Sequence, residues 1–130
     1  MGKLSLLDTN IFIYLTKGNL DENSLLKLRE ATKSGFNLSV ISKIELLGYT
    51  FPSPDEKTKT EDFVKSSTIF ALTDEVVDKT IELRKTHKIK LPDAIIAATA
   101  IVFDLTLISR NDKDFAAIPD LKYLNPFVNV

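Results

Sequence analysis

Cysteine is absent from the 130 residues, and with it go disulfides, thiolate-held zinc and cysteine nucleophiles. Its absence accords with a reducing compartment. A single histidine, His87, excludes a multi-histidine metal site and would leave a Ser-His-Asp triad hanging on one residue. No apolar run approaches the ~20 residues that span a bilayer, so no membrane role is expected. Met1-Gly2-Lys3 leads directly into a short apolar stretch without a cleavage-site pattern, which argues against a secretory leader and places the protein in the cytoplasm. A net charge of −1 provides no global basic field, so any nucleic-acid contact has to come from local patches.

Carboxylates are the chemical resource that remains. With 44% hydrophobic and 27% charged residues, the composition is that of a globular protein, and residues 1–130 suffice for a single domain with a continuous core. Lys3 to Leu7 reads as a short buried strand, followed by a helix from Ile11 that ends near Gly18. Asp21 or Asn23 caps a second helix through Leu25, Leu28 and Ala31, closed by Gly35. Phe36 to Ile41 is a second strand. Ser42-Lys43-Ile44-Glu45 has the spacing of a capping box and should open a third helix. Ser53-Pro54-Asp55-Glu56 repeats that signal, with a polar helix reaching about Lys65. Thr68 to Leu72 is a third strand, Thr73 caps the helix after it, Pro92 starts an alanine-rich helix, and Thr106 to Ser109 and Tyr123-Leu124 are strands. Strands alternating with helices predict an α/β fold, a three-layer α/β/α sandwich on a central parallel sheet.

In such a sheet the ligand crevice lies beyond the carboxyl ends of the strands, where the strand order reverses. Asp8 closes the first strand, Glu45 follows the second, Asp93 opens the alanine-rich helix, and Arg110 to Asp114 follow the fourth strand. Each has a plain alternative. Asp8 and Asp93 suit helix first turns, Glu45 suits its capping box, and residues 109–115 suit a polar turn. All four segments read as strand-to-helix transitions that this fold brings to one sheet edge, where the acids repel one another by several kcal/mol at an effective dielectric of about 20 and call for a cation. All-oxygen donors select Mg²⁺ or Mn²⁺, which retain waters and take further ligands from a substrate phosphate.

Four segments in order carry a resemblance that covers nearly the whole chain: Leu7-Asp8-Thr9-Asn10, Ser39-Val40-Ile41-Ser42-Lys43-Ile44-Glu45-Leu46, Leu91-Pro92-Asp93-Ala94-Ile95-Ile96-Ala97 and Ile108-Ser109-Arg110-Asn111-Asp112-Lys113-Asp114-Phe115. The chain resembles the PIN-domain family, in particular VapC-type toxins of type II toxin–antitoxin pairs. The resemblance implies a Mg²⁺-dependent ribonuclease, with Mn²⁺ as a substitute, held in check by a small cognate antitoxin and itself a homodimer. It implies that Asp8, Glu45 and Asp93 fill three acidic positions; for the fourth, some members carry Asp where this chain has Asn111 and many others use the acid before Phe, here Asp114, which is the favoured choice. Asp8 and Asp93 would hold the metal, while Thr9, Asn10, Arg110 and Asn111 are candidates for substrate contact. Three other readings remain: a PIN nuclease outside any toxin pair, a receiver domain, and a non-catalytic binding module whose acids are all caps. The receiver would need an adjacent acidic pair after the first strand, which Leu7-Asp8-Thr9 lacks.

Overall fold

A computed structural model of the chain describes residues 4–17 and 20–127. Five short strands, β1 (Ser5–Leu7), β2 (Asn37–Ser39), β3 (Thr68–Phe70), β4 (Thr106–Ile108) and β5 (Tyr123–Leu124), form one sheet in the order β3-β2-β1-β4-β5. All four pairings are parallel, so every link between strands has to cross the sheet from end to end. Pairs of helices do this: α1 (Thr9–Lys17) with α2 (Glu22–Ala31), α3 (Val40–Leu47) with α4 (Pro54–Ser66), and α5 (Asp74–Thr86) with α6 (Leu91–Val102). A single-turn helix, α7 (Asp112–Phe115), precedes β5. The chain moves outward from β1 through β2 to β3, then returns past β1 to β4. The order therefore reverses between β1 and β4, and that gap is the crevice the topology opens.

Alternation along the strands divides the core in two. Leu6 and Leu107 pack on one side with Val76, Leu83 and the alanine-rich face of α6. Leu7, Leu38 and Ile108 pack on the other with Ile11, Phe12, Leu28, Leu46 and Val64. The expected three-layer α/β/α sandwich is what forms. Ala94, Ala97, Ala98 and Ala100 are buried, and small side chains there let α6 lie close over the sheet.

Several local expectations hold in detail. Asp21 caps α2, accepting from Ser24 N at 2.6 Å, Ser53 caps α4 ahead of Pro54, and Thr73 caps α5. Gly35, at φ 112°, takes the left-handed turn that leads from α2 into β2. Other expectations need correction. The second strand stops at Ser39 instead of reaching Ile41, because Ser39 Oγ accepts from Ile41 N and starts α3 there. Ser42-Lys43-Ile44-Glu45 is thus no capping box: Ser42 is buried one turn inside the helix. The third strand ends at Phe70, short of Leu72, and the turn after β4 contains α7. Asp93 does not follow a strand at all, since α6 follows α5 directly. The expected strand start at Lys3 and helix end at Gly18 lie outside the described residues. Among the described residues, no helix is long and apolar enough to cross a membrane.

Candidate active site

Asp8 is the first residue beyond β1, and its N–H still donates to Ile108 O at 3.0 Å, which pins it to the sheet edge. Only 7% of the residue is exposed. A carboxylate buried this deeply needs partners on both oxygens. Thr9 N donates to Oδ1 at 2.8 Å and Ser109 Oγ donates to Oδ2 at 2.8 Å. Ser109 is directed by its own partner, because Asn111 N donates to its oxygen at 2.9 Å and leaves its proton for Asp8. Burial pushes the Asp8 carboxyl up from its usual range; the Ser109 and Thr9 bonds oppose this, and the charges of Glu45 and Asp114 reinforce it.

Asp93 lies in the first turn of α6, behind Lys90, which makes no side-chain cap bond. Its carboxyl is pushed up to about 6, first by burial, then by the charge of Asp8, by a hydrogen bond to the Asp114 carboxyl, and by the charges of Asp114 and Glu45. Those causes amount to a map. Four acids from β1, α3, α6 and α7 act on one another at one edge of the sheet, although the chain separates Asp8 from Asp114 by most of its length. Among the described residues, no cation figures in the groups that set either Asp8 or Asp93.

The other two acids are each held by a neighbour. Thr9 Oγ1 lies 2.6 Å from Glu45 Oε1 and 2.9 Å from Ser42 Oγ. A hydroxyl has one proton to give, and the carboxylate is the stronger acceptor, so Thr9 ties Glu45 of α3 to the residue beside Asp8. Asn111 Nδ2 donates to Asp114 Oδ2 at 2.7 Å, which makes Asn111 a support for the fourth acid. The structure therefore brings Asp8, Glu45, Asp93 and Asp114 together with Thr9 and Asn111. Asn10 is exposed on α1, and Arg110 is exposed beside two aromatic rings. Asp112, two residues from Asp114, is engaged elsewhere: Oδ1 accepts from Tyr123 Oη at 2.5 Å and from Asn125 Nδ2 at 3.0 Å. These bonds hold its carboxyl below the usual range and, with burial, raise the Tyr123 phenol. His87 pairs with Thr86 Oγ1 at 2.9 Å at the end of α5, apart from the acids.

Sequence reasoning passed over Ser109 and Ser42, both fully buried. The available signal for Ser109 was its place at the end of the apolar run Thr106-Leu107-Ile108, equivalent to the place of Asp8 after Leu7. As for a metal, the donor set is right in kind: hard carboxylate oxygens, one deeply buried, with no cation among the described groups that act on Asp8 or Asp93. Among the described residues, no three of these groups are already gathered round a single point as an ion would require. In its place, Asp93 bonds to Asp114.

The sequence matches the PIN domain family over residues 5–121. No curated protein matches it. Among solved structures, a toxin–antitoxin complex from Klebsiella pneumoniae superposes at a TM-score of 0.76 and 32% identity, over 95% of this chain and 98% of that one. A VapBC complex from Rickettsia felis bound to a DNA fragment from its promoter gives 0.76 and 26%, over 94% and 98%. FitAcB from Neisseria gonorrhoeae gives 0.77 and 25%, over 95% and 98%. The chain belongs to the PIN-domain family, and its kin among solved structures include toxin–antitoxin complexes of the VapBC kind.

Proposed function

We propose that this protein, a single PIN domain over residues 1–130, is a divalent-metal-dependent endoribonuclease and the toxin of a VapBC-type pair. Family membership and kinship with toxin–antitoxin complexes support the nuclease and toxin parts of this reading. One observation carries the site: four carboxylates converge at the strand-order reversal, and Asp93 is pushed up to about 6 by burial and by the other three. Asp8 and Asp93 are the residues that would hold Mg²⁺, with Mn²⁺ as a substitute. The bound ion supplies two things, a lowered pKa for a water and neutralisation of phosphodiester charge.

The chain's own residues do the rest. Ser109 and Thr9 N fix both oxygens of Asp8, so its carboxylate presents one orientation to the crevice. Glu45, steadied by Thr9, and Asp114, steadied by Asn111, align the attacking water with the phosphorus, and one of the two accepts the single proton that the water gives up. A water oxygen bonds to phosphorus, the bond to the 3′ oxygen breaks, and that oxygen takes a proton, which leaves a 5′-phosphate and a 3′-hydroxyl. A nucleic-acid substrate draws support from the last turn of α5 and the link to α6, where Arg84, Lys85, Lys88 and Lys90 are exposed and none is in an ion pair among the described residues. They put positive charge in the stretch of chain that leads to Asp93, which would attract a phosphate backbone.

The partners follow from the same reading: a small antitoxin that blocks the site, a second copy of the chain as homodimer, and the cytoplasm as the place of action. The test is cleavage of a mixed single-stranded RNA pool with Mg²⁺, with EDTA, and by Asp8→Asn and Asp93→Asn. Mn²⁺-induced broadening of amide signals is recorded in parallel. Localised broadening at Asp8, Glu45, Asp93 and Asp114, together with activity lost in both variants, supports the reading. Full activity in either variant, or no localised broadening, refutes it.

A further inference from the structure

Between the residue that holds Asp8 and the residue that holds Asp114 stands Arg110. Its guanidinium lies 4.7 Å from the centre of the Phe127 ring and 5.4 Å from that of Tyr14, and the two rings meet edge to face at 5.0 Å. Among the described residues it makes no ion pair and donates no hydrogen bond. It is also missing from the charges that act on Asp8 and Asp93. The rings thus carry the guanidinium clear of the carboxylates instead of letting it neutralise them, and cation–π attraction holds it there.

The rings are themselves anchored. Asp112 Oδ1 accepts from Tyr123 Oη and Asn125 Nδ2, and Asn125 Oδ1 accepts from Phe127 N at 2.9 Å. Tyr123 Oη also reaches Ser109 O at 3.2 Å. The segment after β5 is therefore tied, acid to amide to ring, so that Phe127 lies under Arg110. Such a chain is excessive for a solvated surface arginine. It is what a fixed fork of donors needs if it is to meet a phosphate at a set distance from the metal-binding acids.

We infer that Arg110, held by Tyr14 and Phe127, is a clamp for a backbone phosphate flanking the scissile one, and that Asp112, Tyr123 and Asn125 position it. This rests on the proposed nuclease reading but is tested apart from it. Binding of a fluorescein-labelled random-sequence single-stranded RNA pool is followed by anisotropy against salt, with Ca²⁺ as the divalent ion and probe integrity checked on a gel. Arg110→Ala should weaken binding about tenfold and flatten the slope of log K against log salt by about 0.7, the loss of one phosphate contact. Arg110→Lys should restore the slope but not the affinity, because an ammonium keeps the charge and loses the fork and the ring contact. Phe127→Leu, verified as folded by its melting temperature, should lose several-fold in affinity at unchanged slope. Under Mg²⁺, Arg110→Ala should raise KM and spare kcat. Wild-type affinity and slope in Arg110→Ala, wild-type affinity in Arg110→Lys, or no binding by the wild type overturns the clamp. Hydrolysis in the wild type with flat Arg110 results would leave the nuclease and remove the clamp. The expected binding results without hydrolysis would leave Arg110 as a phosphate contact but overturn the nuclease and, with it, the clamp's place beside a scissile phosphate.

Discussion

Replacing Asp93 by asparagine should make the metal-free protein more stable while it removes one of the two proposed metal ligands. The folded-state pKa of about 6 lies above the ordinary 3.8, so the folded protein holds the Asp93 proton more tightly than the unfolded chain does. The folded state therefore gains from this group at low pH and loses relative stability as pH rises. The loss begins near the unfolded value of 3.8, grows up to about 6, and is constant above that. Taken in full, the shift corresponds to about 3 kcal/mol at pH 7.5, and because the side chain is half solvated we halve it to about 1.5. An acid in a helix first turn contributes ~0.5 kcal/mol through the helix dipole, and asparagine forfeits that. The net gain is about 1 kcal/mol, or roughly 3 to 4 °C in a domain of this size. The carboxamide can still bond to Asp114, so no buried group is orphaned.

The assay is thermal unfolding in EDTA at pH 7.5, 5 and 3.5, repeated with 10 mM Mg²⁺ at pH 7.5. The variant's advantage should be largest at pH 7.5, roughly halved at pH 5 and gone at pH 3.5. With a dissociation constant of about 1 mM, Mg²⁺ should raise the wild type by about 1.4 kcal/mol and leave the variant unmoved. A variant less stable than wild type in EDTA at pH 7.5, or one that Mg²⁺ stabilises equally, would refute the claim that uncompensated carboxylate charge defines this site.

Asp114→Asn should abolish RNA cleavage, whereas Asp112→Asn should leave kcat within a few-fold and only lower the melting temperature, as read by gel assay and calorimetry. Ser109→Ala leaves Asp8 Oδ2 without its donor, at about 1 to 2 kcal/mol of stability, and should push the Asp8 carboxyl higher, with weaker Mn²⁺ broadening. Thr9→Val frees Glu45 from its hydroxyl partner; kcat should fall more than tenfold with little change in KM, and equal kcat would argue against a role for that bond. Leu38→Ala, fully buried in the core beside the site, should cost about 3 kcal/mol in urea unfolding at an unchanged m-value.

The acids were legible because each sits beside an unmistakable apolar run: Asp8 after Leu6-Leu7, Asp93 before an alanine-rich helix, Asp114 after Ile108. Their convergence was legible only through topology. The strand-to-helix argument gave the right edge for Asp93 by the wrong route, since α6 reaches the site from α5 and not from a strand. Glu45 was misplaced locally because serines at 39 and 42 both offer a cap. The end of β2 at Ser39 decides between them, because it places Ser39 Oγ to accept from Ile41 N, and where a strand ends is a property of the folded sheet. That shift puts Ser42 inside the helix and sends Glu45 to Thr9, across 36 positions of chain. Ser109 escaped notice for a similar reason: one hydroxyl among polar residues shows no sign of a partner 101 positions earlier.

That 101-residue span has a consequence for synthesis. β1 is made first, yet its neighbour β4, the donor that steadies Asp8, and two of the four acids come only in the last third of the chain. During translation the growing polypeptide can pair β1 with β2 and cover it with α1 and α3, but it cannot complete the crevice. On the proposed reading, a chain cut short before α6 lacks Asp93 and Asp114 and should not cleave RNA. For a protein whose finished form would attack RNA, the order of strands acts as a safety catch on its own production.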